Sequence, residues 1–205
     1  MLLIVDYGMG NVNSIRNMLS RIGIGDVVIS ADAARVEAAD RIILPGVGAF
    51  DAAVRNIEER GLRKPLVDVA GRGIPLLGIC LGMQLLAERS DEGSLSGLGL
   101  VPGVVKRFDA SAFKTPARIP HMGWNSVSVT RPHSLFAGHG AELRFYFVHS
   151  FHFVCHDGAD VIGESDHGYR FASAVSRSNI AGVQFHPEKS HQFGKNLLAN
   201  FAKSG

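Results

Sequence analysis

The segment PLLGICLGMQLL, Pro75 to Leu86, sets a single thiol, Cys80, between Gly78 and Gly82 where an apolar strand-like run gives way to helical spacing. A strand ending in Gly-x-nucleophile-x-Gly and feeding a helix is the thiol form of a nucleophile elbow, a tight turn that lifts the reactive atom above the sheet edge. The two glycines lack Cβ atoms and let neighbouring backbone approach a strained residue. The helix that follows aims its unpaired N–H groups and positive end at sulfur, which favours the nucleophilic thiolate. Taken alone, Cys80 also fits a small, inert core thiol.

A second group lies in VQFHPEKS, Val183 to Ser190. His186 and Glu188 are two residues apart, so on an extended chain they project to one side, and Pro187 between them stiffens the segment. Glu188 can fix the imidazole tautomer while the other ring nitrogen takes a proton from Cys80 and later delivers it to a leaving amine. H-P-E by itself reads equally as a solvated turn. The third piece is PGVG, Pro45 to Gly48, which follows a strand and precedes a helix. Ligands of parallel sheets sit at the carboxyl ends of strands, so this loop and the elbow are expected to share one crevice. Backbone N–H groups of Gly48 and Leu81 would then converge on an oxyanion, and losing one such donor costs about 10²- to 10³-fold in rate. With an inert Cys80 the loop would be a turn serving the fold alone.

Positioning these groups requires a sheet, and the first half of the chain is written as one. Short β-branched runs at Leu2 to Val5, Val27 to Ile29, Arg41 to Leu44 and Pro75 to Ile79 alternate with helical patterns, the signature of a parallel α/β sheet. One helix carries Ile15, Met18, Leu19 and Ile22 on a face, with Asn11 as its expected cap and Gly23 as its stop. A second buries Phe50, Val54 and Ile57, and a third covers Leu66 to Ala70. After Gly93 the chain turns to Gly- and Pro-punctuated strands at Val101 to Phe108, Trp124 to Val129, Leu143 to Val154, Val161 to Glu164, Phe171 to Ser176 and Ile180 to Phe185. These read as largely antiparallel additions. A closing helix near His191 to Ala202 presents Phe193, Leu197, Leu198 and Phe201. The expected fold is α/β, a central mostly parallel sheet flanked by helices with added antiparallel strands, in one domain over residues 1–205.

The 205 residues, 46% hydrophobic and 20% charged, are enough for one sizeable core. A formal net charge of +2 with scattered Lys and Arg names no nucleic-acid or membrane partner. No apolar run approaches the ~18 residues of a membrane span. The start MLLIVDYG reads as a strand rather than a leader, and two distant cysteines fit a reducing compartment, so a cytoplasmic setting is expected.

With these residues in view the chain resembles the class I, triad-type glutamine amidotransferases, whose fold is flavodoxin-like, and among them the branch that feeds a cyclase of histidine biosynthesis. The resemblance spans nearly the whole length: VDYGMGN, LPGVGAF, GICLGMQLL, IPHMGWN, YFVHSF and GVQFHPEKS. GICLGMQ and HPE specify glutamine hydrolysis; VDYGMGN, PGVG and PHMGWN select the branch. It implies Cys80 as nucleophile, His186 as acid and base, and Glu188 as its partner, acting on L-glutamine through a γ-glutamyl thioester. Gln84, four residues past Cys80 on the same helix face, can meet the amino-acid end of the substrate. The segment His149, Ser150 and Phe151 would border glutamine through main-chain groups. Phe151 stands where a tyrosine is expected, which preserves a backbone contact and removes a hydroxyl one.

The resemblance also implies a partner, a (β/α)8-barrel cyclase that consumes the ammonia, and no cofactor. Met122 and the single Trp124 are expected at that interface, where aromatics and Met are favoured; a core tryptophan is the alternative. HFVCH, His152 to His156, has the composition of a metal site, but alternation puts Cys155 opposite the two histidines, too few ligands for zinc. No metal is expected. His121, His133, His139, His167 and His191 lack a spacing that points to chemistry. Two other readings stay open: a glutaminase serving a pyridoxal phosphate or anthranilate type complex, and a catalytically silent module on the same fold.

Overall fold

A computed structural model describes residues 1–140 and 142–203. Residues 141, 204 and 205 of the expected 1–205 unit lie outside the described residues. β1 (Leu2–Val5) leads to α1 (Val12–Arg21), which buries Ile15 and Leu19. Asn11 stands at the cap position but makes no side-chain capping bond, because its φ −93°, ψ 58° departs from the extended geometry that aims a cap back at the helix. β2 (Val27–Ser30) and the short α2 (Ala33–Glu37) follow. Periodicity could not reveal α2, which buries only Val36; its start is fixed by Asp32 accepting from the Ala34 N–H at 2.9 Å.

Next come β3 (Arg41–Gly46), α3 (Phe50–Glu59), α4 (Arg63–Gly71), β4 (Leu76–Cys80) and α5 (Leu81–Leu85). The second half contributes β5 (Arg89–Ser90), β6 (Gly103–Arg107), β7 (His121–Ser126), β8 (Ser128–Val129) and β9 (Arg144–His149). β10 (Phe151–Cys155), β11 (Val161–Asp166), β12 (Arg170–Arg177), β13 (Ile180–Val183) and α6 (His191–Lys203) complete it.

The main sheet runs β2-β1-β3-β4-β13-β12-β10-β6-β5, with β11 on β12 and β8 on β11. Its first five strands are parallel and β12, β10 and β6 continue antiparallel. Alternation along β1 sends Leu3 and Val5 into the core on one face and Leu2 and Ile4 into the core on the other, as a doubly covered sheet requires.

Two sequence expectations are corrected. Ile180 to Phe185 is not simply an antiparallel addition: β13 pairs parallel with β4 and antiparallel with β12, and so forms the seam of the sheet. A four-residue strand buried on both faces carries no mark of direction. Leu143 to Val154 is not one strand either. It breaks at Ser150, so that β9 joins β7 in a separate antiparallel ribbon while β10 enters the main sheet. Trp124 to Val129 divides likewise, its first part in β7 and its last residues in β8 against β11.

Candidate active site

Cys80 ends β4 with φ 55°, ψ −110°, a backbone conformation that costs a residue with a Cβ of order 1–3 kcal/mol and persists only when its surroundings enforce it. The enforcement is visible. A Cβ on Gly82 would lie 1.8 Å from the Leu44 carbonyl oxygen, and one on Gly78 would lie 2.6 Å from the Gly82 carbonyl oxygen. Only glycine lets α5 start this close to β3 and β4. Gly46 pairs with Cys80 across the two strands, which carries the following Val47 and Gly48 to the elbow. Gly48, at φ +112°, adopts a conformation open to glycine.

Val47, Gly48 and Cys80 line a cavity of about 300 Å³ that also receives Gln84, His149, Ser150, Phe151 and His186. Sequence elements from four separated stretches therefore meet there. A larger groove of about 970 Å³ lies between Ser126–Val129 and residues of 132–140 and 142–143, and it gathers none of them.

His186 and Glu188 meet, though not on an extended chain. Pro187–Lys189 is a 3-10 turn, and it swings the carboxylate back so that His186 Nδ1 lies 2.8 Å from Glu188 Oε1, both side chains buried. A carboxylate only accepts near neutral pH, so Nδ1 carries the proton and Nε2 is left facing the cavity without a hydrogen-bond partner. The main chain of His186 is clamped to β9: its N–H donates to the Tyr146 carbonyl at 2.9 Å, and the Ser190 hydroxyl donates to its carbonyl at 2.6 Å. Burial disfavours the imidazolium. Interaction with Cys80 and then with Glu188 outweighs it and raises the His186 pKa to about 9. His186 Nε2 makes no aligned hydrogen bond to the thiol.

Gln184, Glu92 and Tyr7 were not singled out in the sequence. Gln184 is fully buried, accepts from Gln84 Nε2 at 3.0 Å and points its own Nε2 at Cys80 Sγ, 3.7 Å away. Gln84 also donates to the Phe151 carbonyl at 3.1 Å, so its amino group is committed within the protein and only its carbonyl end is free for a ligand. Glu92 brings a carboxylate to the cavity wall and accepts from the Phe50 N–H at 3.0 Å. In sequence it reads as one more acid in an exposed loop. Tyr7, buried, donates to the Pro45 carbonyl at 2.7 Å and braces the strand that leads into the loop at Val47 and Gly48. The glutamine beside H-P-E was the one available signal among these.

Met122 and Trp124 are 62% and 40% exposed, so Trp124 is not core. Its indole lies parallel to the His191 ring, with centroids 5.4 Å apart. His152 contacts the Tyr169 hydroxyl at 3.1 Å and His156 approaches Glu88, the two rings engaged in different places. Among the described residues no helix is long and apolar enough to cross a membrane.

A strained thiol at a parallel-sheet elbow, opposite an imidazole steadied by a carboxylate, is the equipment of a thiol-dependent acyl transfer. Residues 3–204 match the family described as glutamine amidotransferase class-I. Solved structures of the same fold include one titled "Crystal structure of glutamine amidotransferase", with a TM-score of 0.75, 20% identity, and 98% of this chain and 97% of that one covered. PurLQS from Thermotoga maritima has a TM-score of 0.71 and 21% identity, over 98% and 96% of the two chains. Imidazole glycerol phosphate synthase subunit HisH of Sulfurimonas denitrificans is 48% identical, over 99% of this chain and 98% of its own. The HisH subunit of Bdellovibrio bacteriovorus is 46% identical, over 99% and 100%. The chain belongs to the class-I glutamine amidotransferases and, within them, to the HisH family of imidazole glycerol phosphate synthase subunits.

Proposed function

We infer that this chain is the glutamine amidotransferase subunit of imidazole glycerol phosphate synthase, releasing ammonia from glutamine for a partner subunit. In this reading Cys80 Sγ attacks the side-chain carboxamide carbon, and N–H groups at Gly48 and Leu81 receive the oxyanion. The His186 imidazolium gives its Nε2 proton to the departing nitrogen, leaving a γ-glutamyl thioester. Neutral His186 then takes a proton from water as that water attacks, and glutamate leaves as the thiolate returns. Glu188 holds the ring throughout. The main chain of His149, Ser150 and Phe151 borders the substrate, with Gln84 beside it and Glu92 meeting the α-ammonium. The observation that carries this assignment is the buried His186–Glu188 pair, 2.8 Å apart, whose His186 lines the cavity that holds Cys80.

The partner is a (β/α)8-barrel cyclase, docked over β7 around Met122 and Trp124. Residues 1–205 act as one domain in a cytoplasmic heterodimer. HisH names among the relatives favour this over the pyridoxal phosphate and anthranilate type complexes, and a silent module would have no use for an intact Cys80, His186 and Glu188. The test is Cys80→Ala in the reconstituted pair. Glutamine-dependent synthesis should fall by at least about 10⁴-fold while synthesis from added ammonia stays within about twofold. Equal loss of both activities would assign Cys80 to structure.

A further inference from the structure

We propose that His121 is a positioning residue for the glutamine pocket, acting through His149 on the carbonyl of Phe151. The proposal rests on the glutaminase reading and concerns how that site is held. His149 Nδ1 lies 2.7 Å from the Phe151 carbonyl oxygen, which can only accept, so Nδ1 is the protonated nitrogen and Nε2 is an acceptor. That Nε2 is 2.8 Å from His121 Nδ1, which must therefore donate. His121 Nε2 is left as an acceptor and meets Asn125 Nδ2 at 3.1 Å, the same amino group donating to the Asp166 carbonyl at 2.7 Å. Asn125 Oδ1 accepts from the Ser126 N–H at 2.8 Å, which fixes the amide the same way round. Every donor direction agrees.

The far end of this line enters the site. The Phe151 carbonyl accepts from both His149 and Gln84, Gln84 donates also to Gln184, and Gln184 reaches Cys80. One chain of hydrogen bonds thus runs from β7, whose outward residues include Met122 and Trp124, to the wall where the substrate would lie. Both rings are buried, 4% and 7% exposed, and burial first of all holds both pKa values down, that of His121 to about 3, so neither ring is charged near neutral pH. A neutral pair is what a donor–acceptor contact between two imidazoles requires.

A packing role competes, because the His121 ring also stacks between Phe147, 4.7 Å away, and His167, 4.1 Å away. Two substitutions separate the roles. His121→Phe keeps the stacked ring and loses the donor; His121→Asn keeps a donor near the Nδ1 position and loses most of the ring. In the complex with the cyclase and its ligand, His121→Phe should raise KM for glutamine about tenfold with kcat within about twofold, the pattern of a lost positioning contact, and His121→Asn should stay within about threefold on KM. The reverse order, or an unchanged KM in His121→Phe, overturns the proposal. The wild-type complex in the same assay separates the two failures: if it releases no glutamate the glutaminase reading fails and this proposal with it, whereas an active wild type with unaltered His121→Phe overturns the proposal alone. Should a variant not fold, ring ¹⁵N NMR of the wild-type chain decides: His121 and His149 both protonated on Nδ1 support it, and either ring protonated on Nε2 overturns it.

Discussion

His186 carries an unusual burden for a buried ring, since its charge is disfavoured by desolvation and restored by Cys80 and Glu188 until its pKa reaches about 9. The sign of the consequence follows. The proton needed by the leaving nitrogen is present below that value and lost above it, so kcat/KM for glutamine should hold to about pH 9 and then fall. Glu188→Gln removes one of the raising partners: the basic limb should move to lower pH, with kcat/KM down about 10- to 100-fold. A pH–rate profile of the two proteins, each with its cyclase, checks both. An unmoved limb would mean that Glu188 does not set the ring's protonation. The same raised pKa gives the fold a contribution that is full below the ordinary histidine value of about 6.5 and lost as pH rises through about 9.

At the scale of elements, the elbow depends on where atoms are missing. Gly82→Ala would set a methyl 1.8 Å from the Leu44 carbonyl oxygen, backbone that cannot give way without parting α5 from β3. We expect a loss of about 4 kcal/mol or more, read as a fall in melting temperature, or failure to fold. Gly71 ends α4 with open space around its Cβ position. Gly71→Ala should be neutral or stabilising by up to about 1 kcal/mol, and thermal melting of the two proteins separates the cases. A milder effect at Gly82 than at Gly71 would contradict the packing account of the elbow.

At the scale of the molecule, the sheet delivers the site at the carboxyl ends of its central strands, and β7 and β9 hold an apolar face beside it. Trp124, 40% exposed and stacked on His191, projects from that ribbon along with Met122. If the cyclase docks there, Trp124→Ala should weaken the complex by about 2 kcal/mol or more, roughly 30-fold in Kd, while the melting temperature of the isolated chain barely moves. Titration calorimetry against the cyclase reads the first and a thermal scan the second. Unchanged affinity would place the interface elsewhere.

The local order of residues was enough for the alternating strands and helices of the first half, for the elbow around Cys80 and for H-P-E, because each of these is written in neighbours: a period, a glycine two places away, a proline between two polar groups. For Trp124 the sequence left interface and core both open, and only the fold showed it exposed. Strand direction at β13 and the break at Ser150 were not legible, since a short run buried on both faces looks the same whichever way it is laid. Gln184, Glu92, Tyr7 and the His121–His149 pair were out of reach for a related reason. Each acquires its partner from another element distant in sequence, and hydrogen bonds formed that way leave no spacing behind in the chain. Tertiary structure alone brought the His186 imidazole, held by a carboxylate two residues on, to the same cavity as a thiol at the end of β4, the strand beside β13.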